Sequence, residues 1–151
     1  MDTLNDKVWR QMQKIDLARA GEARAVHYLI DEGYLILERN YFASKHGELD
    51  IIALSPQNII CFIEVKTRNY RDTVSAFEHT GQMSMTPGKI KRIKKSALYY
   101  LNSPAYAERL AQLGLASHLS TRFDLILIKP DNKDQSILAV ECHCLDYICA
   151  F

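Results

Sequence analysis

Long apolar runs are missing from this sequence. No stretch approaches the ~18 apolar residues that a membrane-spanning helix requires, so no bilayer-crossing segment is expected. The opening residues, MDTLNDKVWRQMQK, mix acids with bases and lack the apolar centre of a signal peptide. The chain is therefore expected to be cytoplasmic. No repeat, low-complexity tract or linker rich in Gly, Pro or Ser divides it. A phosphate-binding glycine loop and a nucleophilic Ser–His arrangement are absent too. An excess of one charge is also lacking: 19 bases stand against 18 acids, which by itself implies no polyanionic partner. Four cysteines, Cys61, Cys142, Cys144 and Cys149, are expected as reduced thiols in a cytoplasmic setting. Cys142-His143-Cys144 lacks the second pair that a zinc site of that type uses.

What is present fits one domain spanning residues 1–151, large enough to bury a substantial core. Apolar residues make up 48% and charged residues 25%, as in ordinary globular chains. The pattern predicts a helix over 5–32, stopped by Gly33-Tyr34. Strands follow over 34–42, 48–54 and 59–67. Thr86-Pro87 opens a second helix as cap and first-turn proline, running to about Asn102. A shorter helix covers 104–113 and ends at Gly114. Two strands, 122–128 and 136–144, complete a mixed α/β layer. The polar segment 69–85 shows no clear periodicity and reads as a loop that orders on binding.

The strands 48–54 and 59–67 carry carboxylates inside apolar runs. A buried charge is costly unless it is paired or holds a metal. Side chains alternate along a strand, so Glu64 and Lys66 share a face with Ile60 and Phe62. A hairpin centred on Gln57 sets Asp50 opposite Glu64, with Cβ atoms ~5 Å apart, which is unfavourable without a cation between them. Lys66 supplies one such cation; a divalent metal, which prefers carboxylate oxygen, supplies a better one. The alternative is an Asp–Lys–Glu ion network that only fixes the sheet. Asp124 is another acid in an apolar strand, RFDLILI.

Two helices add to the pattern. Ala18, Ala25 and Leu29 form an apolar stripe with Glu22 at its centre, and a glutamate there needs a partner. Residues 86–100 hold five cations (Lys89, Lys91, Arg92, Lys94 and Lys95) and no acid, leaving 14 bases against 18 acids elsewhere. Ile90, Ile93, Ala97 and Leu101 form the apolar stripe of that helix. A solvated amphipathic face usually mixes signs. Cations alone suit a phosphate backbone better.

Asp50 followed by Glu64-Val65-Lys66 across a hairpin resembles the D…ExK core of restriction-endonuclease-like nucleases, with Leu49 where the motif's usual proline stands. The wording GELDIIA…FIEVKTR, with GEARAVHYLIDEGYLILERNY before it and TPGKIKRIKKSALYYL and RFDLILI after it, is similar to the bacterial YraN family, placed in that fold beside archaeal Holliday-junction resolvases. The likeness covers about residues 17–129 and is weak over 69–85 and near the C-terminus. It implies a restriction-endonuclease-like α/β fold, a central mixed β-sheet flanked by helices. It also implies a metal-dependent nuclease, or a nuclease-like protein that binds DNA, less readily RNA, without cutting it. By the same resemblance Asp50 and Glu64 hold Mg²⁺ or Mn²⁺, the first-helix Glu22 joins them, and Lys66 orients the attacking water. Lys89, Lys91, Arg92, Lys94, Lys95 and Arg68 then contact nucleic acid, and a homodimer follows by analogy with the resolvases. The rival from another class is an interaction module whose basic helix docks on an acidic protein.

Overall fold

The computed structural model describes residues 4–68, 85–130 and 138–145. Its order is α1 (Leu4–Asp31), β1 (Leu35–Phe42), a 3₁₀ turn (Ser44–His46), β2 (Glu48–Leu54), β3 (Ile60–Thr67), α2 (Pro87–Leu101), α3 (Pro104–Gln112), β4 (Thr121–Pro130) and β5 (Leu138–Cys144). The expected elements are therefore present. Residues 69–84, on which the expectation of a ligand-ordered loop falls, lie outside the described residues, as do positions 136 and 137 of the expected last strand and Cys149.

Local signals set the boundaries. Gly33, at φ +83°, ends α1 in the left-handed region that glycine tolerates, and Tyr34 N–H closes back on the Leu29 carbonyl at 2.9 Å. Thr86 caps α2 by accepting the Lys89 N–H on its Oγ1 at 3.2 Å, with Pro87 in the first turn. Ser103 does the same for α3 through the Tyr106 N–H. Between β2 and β3 the Ser55 hydroxyl accepts N–H groups from Gln57 and Ile59 at 3.2 and 3.1 Å. That side-chain turn fixes the hairpin register.

The five strands lie in sequence order, β1-β2-β3-β4-β5. Only β3 and β4 run parallel, because the connection between them passes through α2 and α3. Both faces of the central strands are covered, which explains their continuous apolar character. One face packs α1 through Ala25, Val26 and Leu29 against Ile51, Ile63, Val65, Ile126 and Ile128. The other packs α2 and α3 through Ile93, Ala97, Tyr100, Tyr106 and Leu110 against Ile52, Phe62, Phe123 and Leu125. Tyr100 anchors that layer, with ring contacts to Tyr41 at 5.0 Å and Tyr106 at 5.2 Å.

The stripe expected on α1 is buried only in its second half. Ala25 and Leu29 are buried, but Ala18 is exposed, and Val8, Met12 and Ile15 are 42–52% exposed. Helical spacing shows which residues share a face; it does not show how far the sheet beneath that face extends. Among the described residues no helix is long and apolar enough to cross a membrane.

Candidate functional site

The β2–β3 register is the one expected, with Ile51 opposite Ile63 as the last ladder pair. Asp50 and Glu64 are the next two residues in register, and there the ladder stops. The Asp50 carboxylate takes over the backbone's role: its Oδ2 accepts the Val65 N–H at 2.8 Å. The strands separate where the acids begin. Glu64 is 9% exposed, and its Oε1 accepts both the Lys66 and the Lys89 ammonium groups, each at 2.5 Å.

Burial first, and then the Glu64 carboxylate, pushes the Asp50 carboxyl up to about 6, against the lowering effects of the Val65 N–H and the Lys66 ammonium. Glu22 adds to that rise, so it lies within electrostatic range of Asp50. Burial also opposes charge on both lysines. Glu64 overcomes it at Lys66, whose pKa is raised. At Lys89 burial wins, assisted by the neighbouring Lys66, and the pKa is lowered. Two acids and two ammonium groups are thus crowded together, with both ammonium groups on one Glu64 oxygen.

Glu22 reaches the same region from α1. It lines an open groove of about 390 Å³ together with Lys14, Leu17, Lys66, Thr67 and Arg68. Gly21 makes that approach feasible: a Cβ built there would overlap Thr67 Oγ1 and stand 2.9 Å from Thr67 Cγ2. The structure therefore brings Asp50, Glu64 and Lys66 together and sets Glu22 at their edge. Among the described residues no three His, Cys, Asp or Glu side chains are gathered as a ready metal cage. The donor set still fits a hard cation through its two carboxylates in register. Burial and then Glu64 raise the Asp50 pKa and a cation would relieve both, although the ammonium groups on Glu64 compete with it.

Lys89 has a role that sequence reasoning missed. It reads as one of five cations on α2, whereas the fold turns it inward onto Glu64. Its position three residues after the Thr86 cap, in the first turn, was the available signal. Lys91, Arg92 and Lys95 are exposed and Lys94 half-buried. Asp124 belongs elsewhere: it is 2% exposed on the α1 face, gripped by Arg122 Nε and Nη2 at 2.9–3.1 Å. The same guanidinium donates to the Tyr34 hydroxyl at 2.8 Å. Cys61, whose thiol burial first and then Asp124 push up to about 12, is an unreactive member of that cluster.

A five-stranded mixed sheet flanked by helices, with a D…ExK set where two strands part, is an α/β domain of the restriction-endonuclease-like class. The chain belongs to the family described as "Uncharacterised protein family UPF0102", whose model matches residues 21–128. This is the YraN family that the motifs resemble. A UPF0102 protein of Chlorobium phaeobacteroides (strain BS1) is 46% identical over 88 residues, 58% of this chain and 64% of that protein. One from Thermodesulfovibrio yellowstonii is 36% identical over 126 residues, spanning 83% of this chain and 96% of the relative. One from Moorella thermoacetica is 38% identical over 115 residues, 76% of this chain and 82% of the relative.

Proposed function

We propose that this protein is a metal-dependent nuclease that hydrolyses phosphodiester bonds, with DNA the favoured substrate. The observation that carries the reading is the Asp50–Glu64–Lys66 cluster at the parting of β2 and β3, of which Lys66 lines a groove bordered by Glu22, Lys14 and Arg68. Asp50 and Glu64 would hold Mg²⁺ or Mn²⁺, with Glu22 completing or supporting the set. When bound, such a cation supplies Lewis acidity at a phosphoryl oxygen.

The chain's own groups do the rest. The Val65 N–H fixes the Asp50 carboxylate, and Lys66 holds Glu64. The Lys66 ammonium also donates hydrogen bonds that orient the water attacking phosphorus and counter charge on the phosphate. The cations of α2 supply sequence-independent phosphate contacts. A second reading, binding without hydrolysis, is favoured by Lys89, which shares Glu64 Oε1 with Lys66 and so competes with a cation for that carboxylate.

The test is cleavage of labelled junctions, flaps, single strands and RNA with Mn²⁺, wild type against Lys66→Ala. Hydrolysis by the wild type, lowered about 100-fold or more in the variant, supports the nuclease. Metal binding with no product from any substrate assigns the binding-only reading.

A further inference from the structure

A second concave surface lies at the far end of α2. An open groove of about 500 Å³ is lined by His46, Lys95, Leu98, Tyr99, Asn102 and Ser103, with no acid among the described residues that line it. Tyr99 is 47% and Leu98 41% exposed, although Ala97 and Tyr100 beside them are buried in the core. The His46 ring stands 6.0 Å from the Tyr99 ring at 60°. Admitting a third ring between two others takes about 7 Å, two contact distances of ~3.5 Å. The two rings therefore brace each other and offer an outer aromatic face to the groove.

The groove is continuous with the basic helix. Lys91 and Lys95 fall one turn apart on α2, and Tyr99 follows one turn later, so cations lead to the aromatic face along one stripe. Ten residues separate Lys89, on Glu64, from Tyr99. At 1.5 Å per residue that is about 15 Å, roughly four nucleotides of strand at ~3.4 Å each. Cations alone would suit any acidic partner. Cations running into an acid-free aromatic groove suit a polyanion that also carries planar rings, and base–aromatic stacking is tolerant of sequence.

We propose that this groove takes an unpaired nucleobase of a strand whose phosphates follow α2, so the preferred ligand is nucleic acid with a single-stranded or extrahelical nucleotide. The inference rests on the nucleic-acid part of the function proposed above and not on hydrolysis. It is tested by fluorescence anisotropy in EDTA, where no metal-dependent cleavage intervenes, using a short labelled DNA single strand and its matched duplex. Tyr99→Ala should lose about tenfold in affinity for the single strand, with duplex affinity unchanged and the melting temperature kept, since the side chain is exposed. Tyr99→Phe should retain wild-type binding. Equal losses on both ligands, or no loss on the single strand, overturn the proposal. So does binding of neither ligand by the wild type, with an acidic peptide captured instead, which would assign the groove to a protein partner. Failure to cleave anything with Mn²⁺ would sink the nuclease reading alone.

Discussion

Asp50, one residue beyond the last β2–β3 pair on its strand, accepts on its Oδ2 the N–H of Val65, two residues beyond that pair, at 2.8 Å. A side chain completes the backbone ladder there, and its second oxygen remains for other work. That bond holds a carboxylate in a place where burial and Glu64 both oppose its charge.

The pH dependence follows from the sign of that shift. A carboxyl whose pKa rises on folding, here to about 6, stabilises the folded state below the unfolded value near 4, and this contribution is lost as pH rises through 6. In EDTA the wild type should lose about 3 kcal/mol of stability across that window. Asp50→Asn should remove this slope, match or exceed the wild type at pH 7, and abolish any rise in melting temperature caused by Mn²⁺. A variant clearly less stable at pH 7, with no metal effect in the wild type, would mean a structural ion network.

Lys89 competes for the same oxygen that a cation would use. Lys89→Met should therefore increase Mn²⁺ affinity up to about fivefold, the equivalent of ~1 kcal/mol for a part-exposed ion pair. Isothermal titration at fixed ionic strength measures it. Weaker binding in the variant would show Lys89 organising Glu64 rather than occupying it.

Replacing Lys91, Lys94 and Lys95 together should weaken nucleic-acid binding about equally across sequences. The slope of log affinity against log salt should fall by about 2 to 3, three lost phosphate contacts at ~0.7–0.9 each. An unchanged slope would take α2 out of phosphate binding.

Gly21→Ala places a methyl against Thr67. Relief requires α1 to move off β3, so a loss of about 1–3 kcal/mol is expected in denaturant unfolding. The companion Thr67→Ala should recover part of it, because the Oγ1 overlap and the Cγ2 contact are then both removed. No recovery would point away from this contact.

Arg122→Ala leaves the Asp124 carboxylate buried without its main partner. The cost should be about 3 kcal/mol, the lower end for a broken buried pair, because Arg122 keeps 29% side-chain exposure. Burial opposes the Arg122 charge and Asp124 outweighs it, holding the guanidinium above its ordinary pKa. Retained metal binding in this variant would show that the pair is separate from the Asp50–Glu64 cluster.

Short-range chemistry was legible from sequence alone: Ser55 and its neighbours set the hairpin, Thr86 and Ser103 capped two helices, and period-two alternation put Glu64 and Lys66 on one face. With the register known, Asp50 and Glu64 had to meet. Only the packed layers decided the rest. Lys89 reaches Glu64 across 25 positions because α2 lies on that face of the sheet, and Tyr34 meets Arg122 across 88 because the end of α1 and the start of β4 stack. Ala18 is exposed because the sheet ends before the helix does. A residue's spacing fixes the direction its side chain takes from its own element, while its partner depends on which other element is packed opposite, and that is settled by the burial of the whole core.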